Sequence, residues 1–276
     1  MHTVFGNGAN IPAIGLGTWT LMDRQAEELV AGAIEAGYRH VDTAAMYENE
    51  AEIGNGIRAS GVPRGDIFLT SKVWHTDLED GALQKSVETS LEKLGTDYLD
   101  LALIHWPSQT VPLAASIKAL NDVLHRGLAR NIGVSNFTVP LLREAAERSE
   151  HPLACNQIEY HPYLKQDQIL GVCRELGMGV ISYCPLARGA ELFSEAAIAD
   201  AARKHGKTGA QIVLRWHVQQ NGVAVIPRST KIERIRENLD VFDFELEAAE
   251  MEAISALQSR HLRICDFAFS PEWDEG

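Results

Sequence analysis

Residues 87–105 read VETSLEKLGTDYLDLALIH and contain one complete unit of the fold. Apolar side chains in the first half recur at the spacing of one helix face, at Val87, Leu91 and Leu94. Gly95 follows at once, as expected where a helix ends in a left-handed residue. Residues 99–105 are then almost wholly apolar up to His105, which is typical of a parallel strand covered on both faces. The stretch predicts a helix, a turn and a buried strand with a polar side chain at its carboxyl end.

The same unit recurs along the chain. Predicted helices carry apolar stripes such as Leu29, Ala33 and Ile34, or Ile169, Val172, Cys173 and Leu176, and several end at a glycine, as at Gly37, Gly127 and Gly177. The other predicted strands cover residues 13–17, 38–42, 67–72, 131–135, 153–157, 178–183 and 223–227. Eight strand–helix units in about 250 residues predict an α/β fold of the (β/α)8 TIM-barrel type. The alternative is an open, doubly wound sheet, which usually has fewer parallel strands.

Two segments fall outside this repeat. An Asn7-Gly8 pair between short apolar runs predicts a β-hairpin over residues 3–11. Residues 259–276 follow the last predicted helix as a C-terminal tail that we expect to close one side of the barrel. Because no linker, low-complexity tract or break in composition interrupts the chain, residues 1–276 are predicted to form a single domain.

The charge balance bears on the class of partner. The chain has 276 residues with 25 Lys+Arg against 38 Asp+Glu, which gives a formal net charge of −13. A nucleic-acid partner needs a basic face and an anionic membrane attracts one, so neither partner is expected. No run reaches the about 18 apolar residues that a membrane helix requires. An anionic ligand would therefore have to bind a local basic cluster on an acidic protein.

Cysteine usage and the first residues bear on the compartment. The four cysteines, Cys155, Cys173, Cys184 and Cys265, form no C-x-x-C pair, so free thiols are expected. The start of the chain has neither the basic region nor the apolar region of a signal peptide. We expect a cytoplasmic protein.

Residues 15–20 (GLGTWT) begin like a dinucleotide-binding G-x-G-x-x-G fingerprint but carry Thr20 in place of the third glycine. Asp42 lies roughly where that motif places an acidic ribose ligand. A tight turn after the first strand is the simpler interpretation.

Polar residues end nearly every predicted strand, whereas the strand interiors are apolar. In order they are Asp42, Lys72, His105, Ser135 with Asn136, Gln157, Tyr183, and Arg228 with Ser229. The active site of a (β/α)8 barrel lies at the carboxyl ends of its strands. This succession therefore predicts a ring-shaped site.

Three of these residues, together with the nearby Tyr47, form a set with a chemical logic. Tyr47, in the loop after the second strand, is a proton donor whose pKa a nearby Lys72 ammonium would lower, with Asp42 holding the ammonium in place. His105 would donate a hydrogen bond to a carbonyl oxygen. The alternatives are a structural Asp42–Lys72 ion pair, a surface tyrosine and a packed core histidine. His40 with Asp42 also allows a metal pair, but no second ligand set completes it, so no metal is predicted.

Three ordered segments carry a family resemblance. Residues 37–44 (GYRHVDTA), followed by Tyr47, Glu50 and Gly54, resemble the first signature of the aldo-keto reductases. Residues 131–137 (NIGVSNF) resemble the second, and residues 226–229 (IPRS), with Arg234, Glu237 and Asn238, resemble the third. The resemblance implies a barrel that binds NADPH without a Rossmann domain. It also implies a catalytic tetrad of Asp42, Tyr47, Lys72 and His105, with Tyr47 as general acid.

The same resemblance implies the cofactor residues. Those matching the nicotinamide and ribose contacts are Thr18, Asp42, Ser135, Asn136, Gln157 and the stacking Tyr183, and Leu186 matches a pyrophosphate-loop residue. Those matching the 2′-phosphate and adenine contacts are Arg228, Ser229, Thr230, Arg234, Glu237 and Asn238. Many relatives have lysine where Arg228 stands, and arginine grips phosphate there in a bidentate way.

Within the family, residues 72–74 (KVW), 103–107 (LIHWP) and 135–140 (SNFTVP) resemble the small bacterial 2,5-diketo-D-gluconate reductases, relatives that also reduce methylglyoxal. The implied substrate residues are Trp19, Tyr47, Trp74, His105 and Trp106. The short loop at residues 187–193 suggests an open pocket. The resemblance thus implies an NADPH-dependent reductase of small carbonyl compounds that is a monomer. In the tail, Arg260 and Arg263 are either anion-attracting residues or free surface arginines.

Two other classes of function compete with this reading. A cofactor-sensing binding module shares the fold, although the complete tetrad argues against it. A metal-dependent barrel hydrolase would need ligands that the sequence does not supply.

Overall fold

The computed structural model describes residues 2–187 and 189–274. The chain opens with the predicted hairpin, in which β1 (Thr3–Gly6) pairs antiparallel with β2 (Ala9–Pro12). Asn7 and Gly8 connect the strands with φ of 43° and 98°. A two-residue turn with positive φ at both positions is the one whose twist matches the flanking strands, which explains the Asn-Gly pair.

Eight parallel strands follow, each hydrogen-bonded to the next. They are β3 (Leu16–Gly17), β4 (His40–Asp42), β5 (Phe68–Val73), β6 (Leu101–Ile104), β7 (Ile132–Ser135), β8 (Cys155–Glu159), β9 (Gly179–Tyr183) and β10 (Val223–Val225). The Gly15 N–H donates to the Val225 carbonyl at 2.8 Å, and the Val225 N–H donates to the Ala13 carbonyl at 2.9 Å. These bonds join the first strand region to the last, so the sheet curls into the predicted barrel and the open-sheet alternative is wrong.

The first strand therefore serves two neighbours. Residues 13–15 pair with β10, whereas Leu16 and Gly17 pair with β4. The Gly17 N–H also donates to the carbonyl of Pro227, just after β10, at 3.0 Å, so the predicted strand over residues 13–17 has a neighbour on each side, as every strand of a closed barrel does.

Helices cover the outside of the barrel between the strands. They are α1 (Asp23–Ala36), α2 (Glu50–Ala59), α3 (Ala82–Leu94), α4 (Leu113–His125), α5 (Val139–Arg148), α6 (Asp167–Glu175), α7 (Ala190–Ser194), α8 (Ala196–His205), α9 (Gly209–Val218), α10 (Ile232–Leu239) and α11 (Ala248–Ser255). Gly95 ends α3 with φ of 65°, and its N–H donates to the Leu91 carbonyl at 2.9 Å. The helix, turn and strand predicted from residues 87–105 are confirmed.

We call the end of the barrel where the strands begin the base. The hairpin covers it with Val4 and Ile11, which are cross-strand partners and are both buried. The Asn7 side-chain amide donates to the Leu153 carbonyl at 2.8 Å, just before β8 begins. A side chain at Gly6 would place its Cβ 2.1 Å from the Ala154 carbonyl oxygen, so the hairpin lies directly against the barrel.

The opposite end, where the strands finish, is the mouth. A 3-10 helix (Ala256–Arg260) follows α11, and residues 261–274, which we call the tail, then run without regular structure. The tail reaches the mouth through its Leu262 N–H, which donates to the Tyr163 carbonyl at 2.9 Å. Within the described ranges, no helix is both long enough and apolar enough to cross a membrane.

Candidate active site

A buried ion pair lies at the centre of the mouth. Lys72 on β5 donates from Nζ to Asp42 Oδ1 at 2.5 Å, and Asp42 is the last residue of β4. The same Nζ donates to the Thr43 carbonyl at 2.8 Å and to the Tyr47 hydroxyl at 3.4 Å. Both members of the ion pair are 1% exposed. The structure thus brings three of the predicted tetrad residues into one hydrogen-bonded chain.

Tyr47 reaches this position because the loop after β4 is fixed. The ring lies in a 3-10 helix (Ala45–Tyr47) that Glu48 ends with a positive φ of 57°. Two residues later, the Asn49 side chain accepts from the Thr43 hydroxyl at 3.0 Å and donates to the Thr18 carbonyl at 2.8 Å. Asn49 therefore ties the loop after β4 to the loop after β3. Its role could not be predicted from the sequence, because the Thr18 carbonyl lies 31 residues away in the chain.

His105, directly after β6, completes the group. Its ring centroid lies 5.6 Å from that of Tyr47 and 5.1 Å from that of Trp74, with edge-to-face geometry in both pairs. Burial lowers the pKa of His105 well below its usual value, and the charges of Lys72 and His75 act in the same direction. The imidazole is therefore neutral near pH 7. Its Nδ1 atom is buried and has no hydrogen-bond partner among the described residues.

The electrostatics of Tyr47 and Lys72 are set by burial and by each other. Burial raises the pKa of Tyr47, and the Lys72 ammonium lowers it without offsetting the effect of burial. Burial lowers the pKa of Lys72, but the Asp42 carboxylate and Tyr47 outweigh it and leave the pKa above its usual value. Lys72 thus acts on the Tyr47 pKa in the expected direction, but burial, which was not predicted, outweighs it. Tyr47 is a protonated phenol beside a permanent ammonium.

A continuous hydrogen-bonded chain runs from Asp42 around the mouth. Gln157 donates from Nε2 to Asp42 Oδ2 at 2.7 Å, and the Ser135 hydroxyl donates to the Gln157 carbonyl at 2.8 Å. Asn136 donates from Nδ2 to Ser135 Oγ at 3.1 Å and accepts from the Tyr183 hydroxyl at 2.7 Å. Four residues predicted for the nicotinamide are therefore linked with one tetrad residue.

Other predicted cofactor residues lie in the loops around this chain. Thr18 is buried and donates from its hydroxyl to the Asp42 carbonyl at 3.0 Å. Leu186 is half-buried in the loop after β9, and the neighbouring residue 188 lies outside the described part of the chain. In α10, Asn238 is buried, and Glu237 accepts from the Thr208 hydroxyl at 2.7 Å.

The predicted basic cluster lies between β10 and the first residues of α10. Arg228, Lys231 and Arg234 are exposed, and none of them forms an ion pair with another described residue. Ser229 is buried, and its hydroxyl oxygen accepts from the Lys231 N–H at 3.1 Å. Thr230 and Lys231 line a cleft of about 530 Å³ that also borders α1. On a chain of net charge −13, this segment offers unpaired positive charge at a helix N-terminus.

Aromatic side chains form one wall of the mouth. Trp106 is buried, Trp74 is half-buried and Trp19 is 50% exposed. Phe269 of the tail lies 5.2 Å from Trp74 and 5.3 Å from Trp106, and Phe267 lies 5.8 Å from Trp106, all between ring centroids. The tail thus supplies two rings to this wall.

A model of the aldo/keto reductase family matches residues 13–259. The chain belongs to the aldo/keto reductase family. It is 42% identical over 267 residues to methylglyoxal reductase DkgB of Escherichia coli O157:H7, covering 96% of this chain and 99% of that protein. It is 43% identical over 254 residues to an aldo-keto reductase of Mycolicibacterium smegmatis, covering 92% of each. A crystal structure provisionally named as a 2,5-diketo-D-gluconic acid reductase B superposes with a TM-score of 0.95 at 45% identity, covering 100% of this chain and 98% of that one.

Two predictions about this reductase need correction or closer definition. Arg260 is neither a free surface arginine nor available to an anion, because it pairs with Glu191 at 3.1 Å and with Glu195. Arg263 instead lies 3.7 Å above the ring of Trp273, and it forms no ion pair within residues 2–187 and 189–274. Of these two arginines, only Arg263, in the tail, remains a candidate for binding an anion.

The metal alternative at the mouth finds no support in the contacts of His40. Its ring is buried and packs edge-on against Phe68, and its Nε2 atom lies at hydrogen-bond distance, 3.2 Å, from the Thr70 hydroxyl. Among the described residues, the one group with metal-ligand spacing consists of His125, Glu150 and His151, which lie at the base. None of the four cysteines is in a disulfide, as predicted.

The tail contributes residues that sequence reasoning did not find. Phe267 and Phe269 were missed because the tail has no periodicity from which to infer a face. The signal that was available is the pair of aromatic residues in Phe267-Ala268-Phe269, which lies in a turn where the Ser270 N–H donates to the Phe267 carbonyl at 2.9 Å. The ring centroids are stacked 5.2 Å apart.

Proposed function

We propose that this member of the aldo/keto reductase family is an NADPH-dependent carbonyl reductase in which Tyr47 is the general acid. The observation that carries the proposal is the Tyr47 hydroxyl, 3.4 Å from a Lys72 ammonium that Asp42 holds at 2.5 Å. Reduction of a carbonyl requires a proton at the oxygen as hydride reaches the carbon. A phenol beside a fixed ammonium is suited to supply it.

Lys72 acts mainly as the proton leaves. Tyr47 is a protonated phenol before reaction, because burial raises its pKa. Negative charge then develops on its oxygen, and the ammonium stabilises that charge more than it stabilises the neutral phenol. The Asp42 carboxylate and the Thr43 carbonyl hold the ammonium in place, so little reorganisation is needed.

His105 orients the substrate. A neutral imidazole has one N–H donor, and a donor without positive charge can bind a carbonyl oxygen without competing with Tyr47 for the proton. Burial lowers the pKa of His105 and keeps the ring neutral. The rings of Tyr47 and Trp74 on either side limit the positions that an oxygen can take between His105 and Tyr47.

The residues of the mouth fit NADPH, which supplies the hydride when it is bound. Ser135, Asn136 and Gln157 present amide and hydroxyl groups that suit a carboxamide, and Tyr183 presents an aromatic ring beside them. Arg228 and Arg234, with Ser229 and Thr230, offer donors for a 2′-phosphate at the N-terminus of α10. Unpaired cations on an acidic chain are the feature of this structure that supports a phosphate ligand.

The proposed substrates are small dicarbonyls or keto-sugar acids. Relatives named methylglyoxal reductase and 2,5-diketo-D-gluconic acid reductase support this class. An aromatic wall of Trp19, Trp74 and Trp106 suits a compound held by packing and a few polar contacts. We further propose that the protein acts as a cytoplasmic monomer whose partner is this small molecule, with neither nucleic acid nor membrane involved.

A panel assay tests the proposal. NADPH oxidation is followed with purified protein and methylglyoxal, 2,5-diketo-D-gluconate and a simple aldehyde, and is repeated with NADH. The Tyr47→Phe variant, purified in parallel, measures any reductase carried over from the host. We expect turnover that needs Tyr47 and prefers NADPH. NADPH binding without turnover of any carbonyl would instead favour a cofactor-sensing module.

A further inference from the structure

A buried carboxylate under the tail is not used by the proposed chemistry. Glu159 is the last residue of β8 and is 1% exposed. Its Oε1 accepts from the Ile264 N–H at 2.6 Å and from His161 Nε2 at 2.9 Å, and its Oε2 accepts from the Cys265 N–H at 2.7 Å. Both oxygens are thus occupied, and two of the three donors are consecutive backbone amides of the tail.

The carboxylate is held in its charged form. Burial alone would raise the pKa of Glu159, but the hydrogen bonds from His161, Ile264 and Cys265 outweigh burial and leave the pKa below its usual value. Charge-assisted bonds from backbone amides are shorter and stronger than neutral ones. A loop that lacks helix and strand is therefore fixed at one point by an unusually strong attachment.

This attachment lies directly before the aromatic part of the tail. Phe267 and Phe269 follow within a few residues and pack against Trp106. The later tail has one neutral attachment, at the Ala268 carbonyl, which accepts from the exposed Gln109 amide at 3.1 Å. It has one charged attachment, at the Asp274 carboxylate, which accepts from the Val139 N–H at 2.8 Å. Phe267 and Phe269 thus lie between two attached points, and Glu159 fixes the one that is nearer to them in sequence.

Glu159 also lies beside the cofactor residues. It pairs in register with Tyr183 on β9, whose hydroxyl donates to Asn136. One rigid strand end thus joins the ring proposed for the nicotinamide to the segment that lines the substrate pocket.

We infer that Glu159 is a positioning residue for substrate binding, which fixes residues 264–265 of the tail and through them the aromatic wall of the mouth. The inference rests on the proposed function. A purely structural Glu159–His161 pair would affect stability alone, whereas a positioning role affects the KM for substrates that touch the wall. Methylglyoxal is small enough to need little of the wall, and a sugar acid needs more of it.

The test is Glu159→Gln, which keeps the shape but removes the charge and puts an amide donor against a backbone donor. We expect the KM for 2,5-diketo-D-gluconate to rise about tenfold, the loss of roughly one charge-assisted hydrogen bond. The kcat with methylglyoxal and the dissociation constant of NADPH should stay within about twofold of wild type. Trypsin should cleave faster after Arg260 and Arg263, as mass spectrometry would detect.

Two further variants make the result interpretable. Glu250→Gln removes another carboxylate paired with a histidine, His205, and it should change neither KM nor cleavage. Its other partners, Lys204 and the Glu247 N–H, do not belong to the tail either. Ile264→Pro removes one N–H donor from the tail side and leaves Glu159 intact. It should reproduce the KM effect even where Glu159→Gln does not fold.

An unchanged KM and unchanged cleavage in both Glu159→Gln and Ile264→Pro would overturn the inference. Equal losses in kcat, NADPH affinity and Tm would do so as well, because they would indicate general damage. If the wild type reduces no carbonyl, the proposed function fails, but the tryptic cleavage still reports on the attachment of the tail.

A second, independent observation lies at the base. His125 ends α4, and His151 follows α5 in the segment before β8. Their Nε2 atoms are 2.7 Å apart, and Glu150 Oε2 lies 3.7 Å from His125 Nε2. All three ligand atoms lie within 4.8 Å of one another. Asn121 holds the turn, since its Oδ1 accepts from the His151 N–H at 3.2 Å.

We propose that His125, Glu150 and His151 bind a divalent transition metal. Two imidazoles and a carboxylate suit Zn²⁺, Ni²⁺ or Cu²⁺ but not Mg²⁺, which prefers oxygen ligands. Ligand atoms at about 2.0–2.1 Å from a metal lie roughly 3 Å from each other, so the two imidazoles need only a small outward movement. The ligands are half-buried or exposed, so the metal can enter freely.

Calorimetric titration of untagged protein with ZnCl₂ tests this site, with MgCl₂ as a second titrant. We expect one Zn²⁺ per chain, a higher Tm with Zn²⁺ and unchanged kcat. His151→Gln should abolish binding. His205→Gln, which removes a half-buried histidine paired with a single glutamate, should leave it intact. Absence of Zn²⁺ binding by the wild type, or wild-type binding by His151→Gln, would overturn the proposal.

Discussion

The two ends of the barrel are built on opposite principles. At the base, Val4 and Ile11 fill the space under the strands with apolar side chains. At the mouth, Asp42 and Lys72 are buried to the same extent but form an ion pair. Apolar burial stabilises the fold directly, whereas burying two charges has a desolvation cost that their attraction does not reliably offset. The base thus contributes to stability, whereas the mouth contains a buried ion pair that contributes less to stability but is suited to catalysis.

The largest effect should come from the mouth. Tyr47→Phe removes the proposed proton donor, and general acids contribute about 10²- to 10⁴-fold, so kcat should fall by that factor while Tm hardly changes. Steady-state kinetics and a thermal melt measure both. The matched control is Tyr38→Phe, because this buried tyrosine donates to the Ile235 carbonyl and takes no part in the tetrad. Near-normal turnover by Tyr47→Phe would contradict the assignment of catalysis to the mouth.

The next effect should come from the base and change stability alone. Ile11→Ala empties a fully buried position, which typically lowers the free energy of unfolding by about 2–5 kcal/mol. Denaturant unfolding followed by tryptophan fluorescence measures it, and kcat at low temperature should match wild type. Phe5→Ala, on the exposed face of the same hairpin, is the control and should change stability by less than about 0.5 kcal/mol. A loss of kcat in Ile11→Ala would mean that the base also shapes the site.

A smaller effect should appear at the basic cluster beside the mouth. Arg234→Ala should raise the dissociation constant of NADPH about tenfold, because one charge-assisted bond to phosphate is lost, and should leave that of NADH unchanged. Fluorescence titration gives both constants. Arg236→Ala, two residues further along α10, serves as the control. Equal weakening for NADH and NADPH would argue against a 2′-phosphate at this position.

The smallest expected effect concerns the pH profile of the reaction, in which His105 should show no titration near its usual pKa. Because the pKa of His105 is lowered, the ring stays neutral above its usual value near 6.5 and takes up a proton only at a pH well below it. A plot of log kcat/KM against pH should therefore have no inflection from His105 near pH 6.5. If an inflection appears near pH 6.5 and is lost in His105→Gln, then His105 takes up a proton near its usual pKa, and this prediction is wrong.

Much of the architecture could be predicted from the sequence because it rests on local signals. The stripe ending at Leu94, the turn at Gly95 and the apolar run to His105 all lie within one unit. The order of polar strand ends then placed Asp42 and Lys72 together, since adjacent parallel strands bring their carboxyl ends to the same edge.

The remainder depends on contacts between distant residues. Asn49 and Glu159 were missed because their partners lie in other loops and in the tail. For Tyr47, the sequence predicts the direction in which Lys72 shifts the pKa, but not the larger opposing effect of burial. Tertiary packing determines which residues surround a group and how deeply that group is buried.

Closure of the barrel has a consequence for how the chain folds. The bonds between residues 13–15 and Val225 join segments more than 200 positions apart. Contacts of such long range form slowly, because a large loop must be closed before they contribute any stability. We therefore expect closure to be a late folding step. Since the polar strand ends come from nearly every unit, the complete site can exist only after that step.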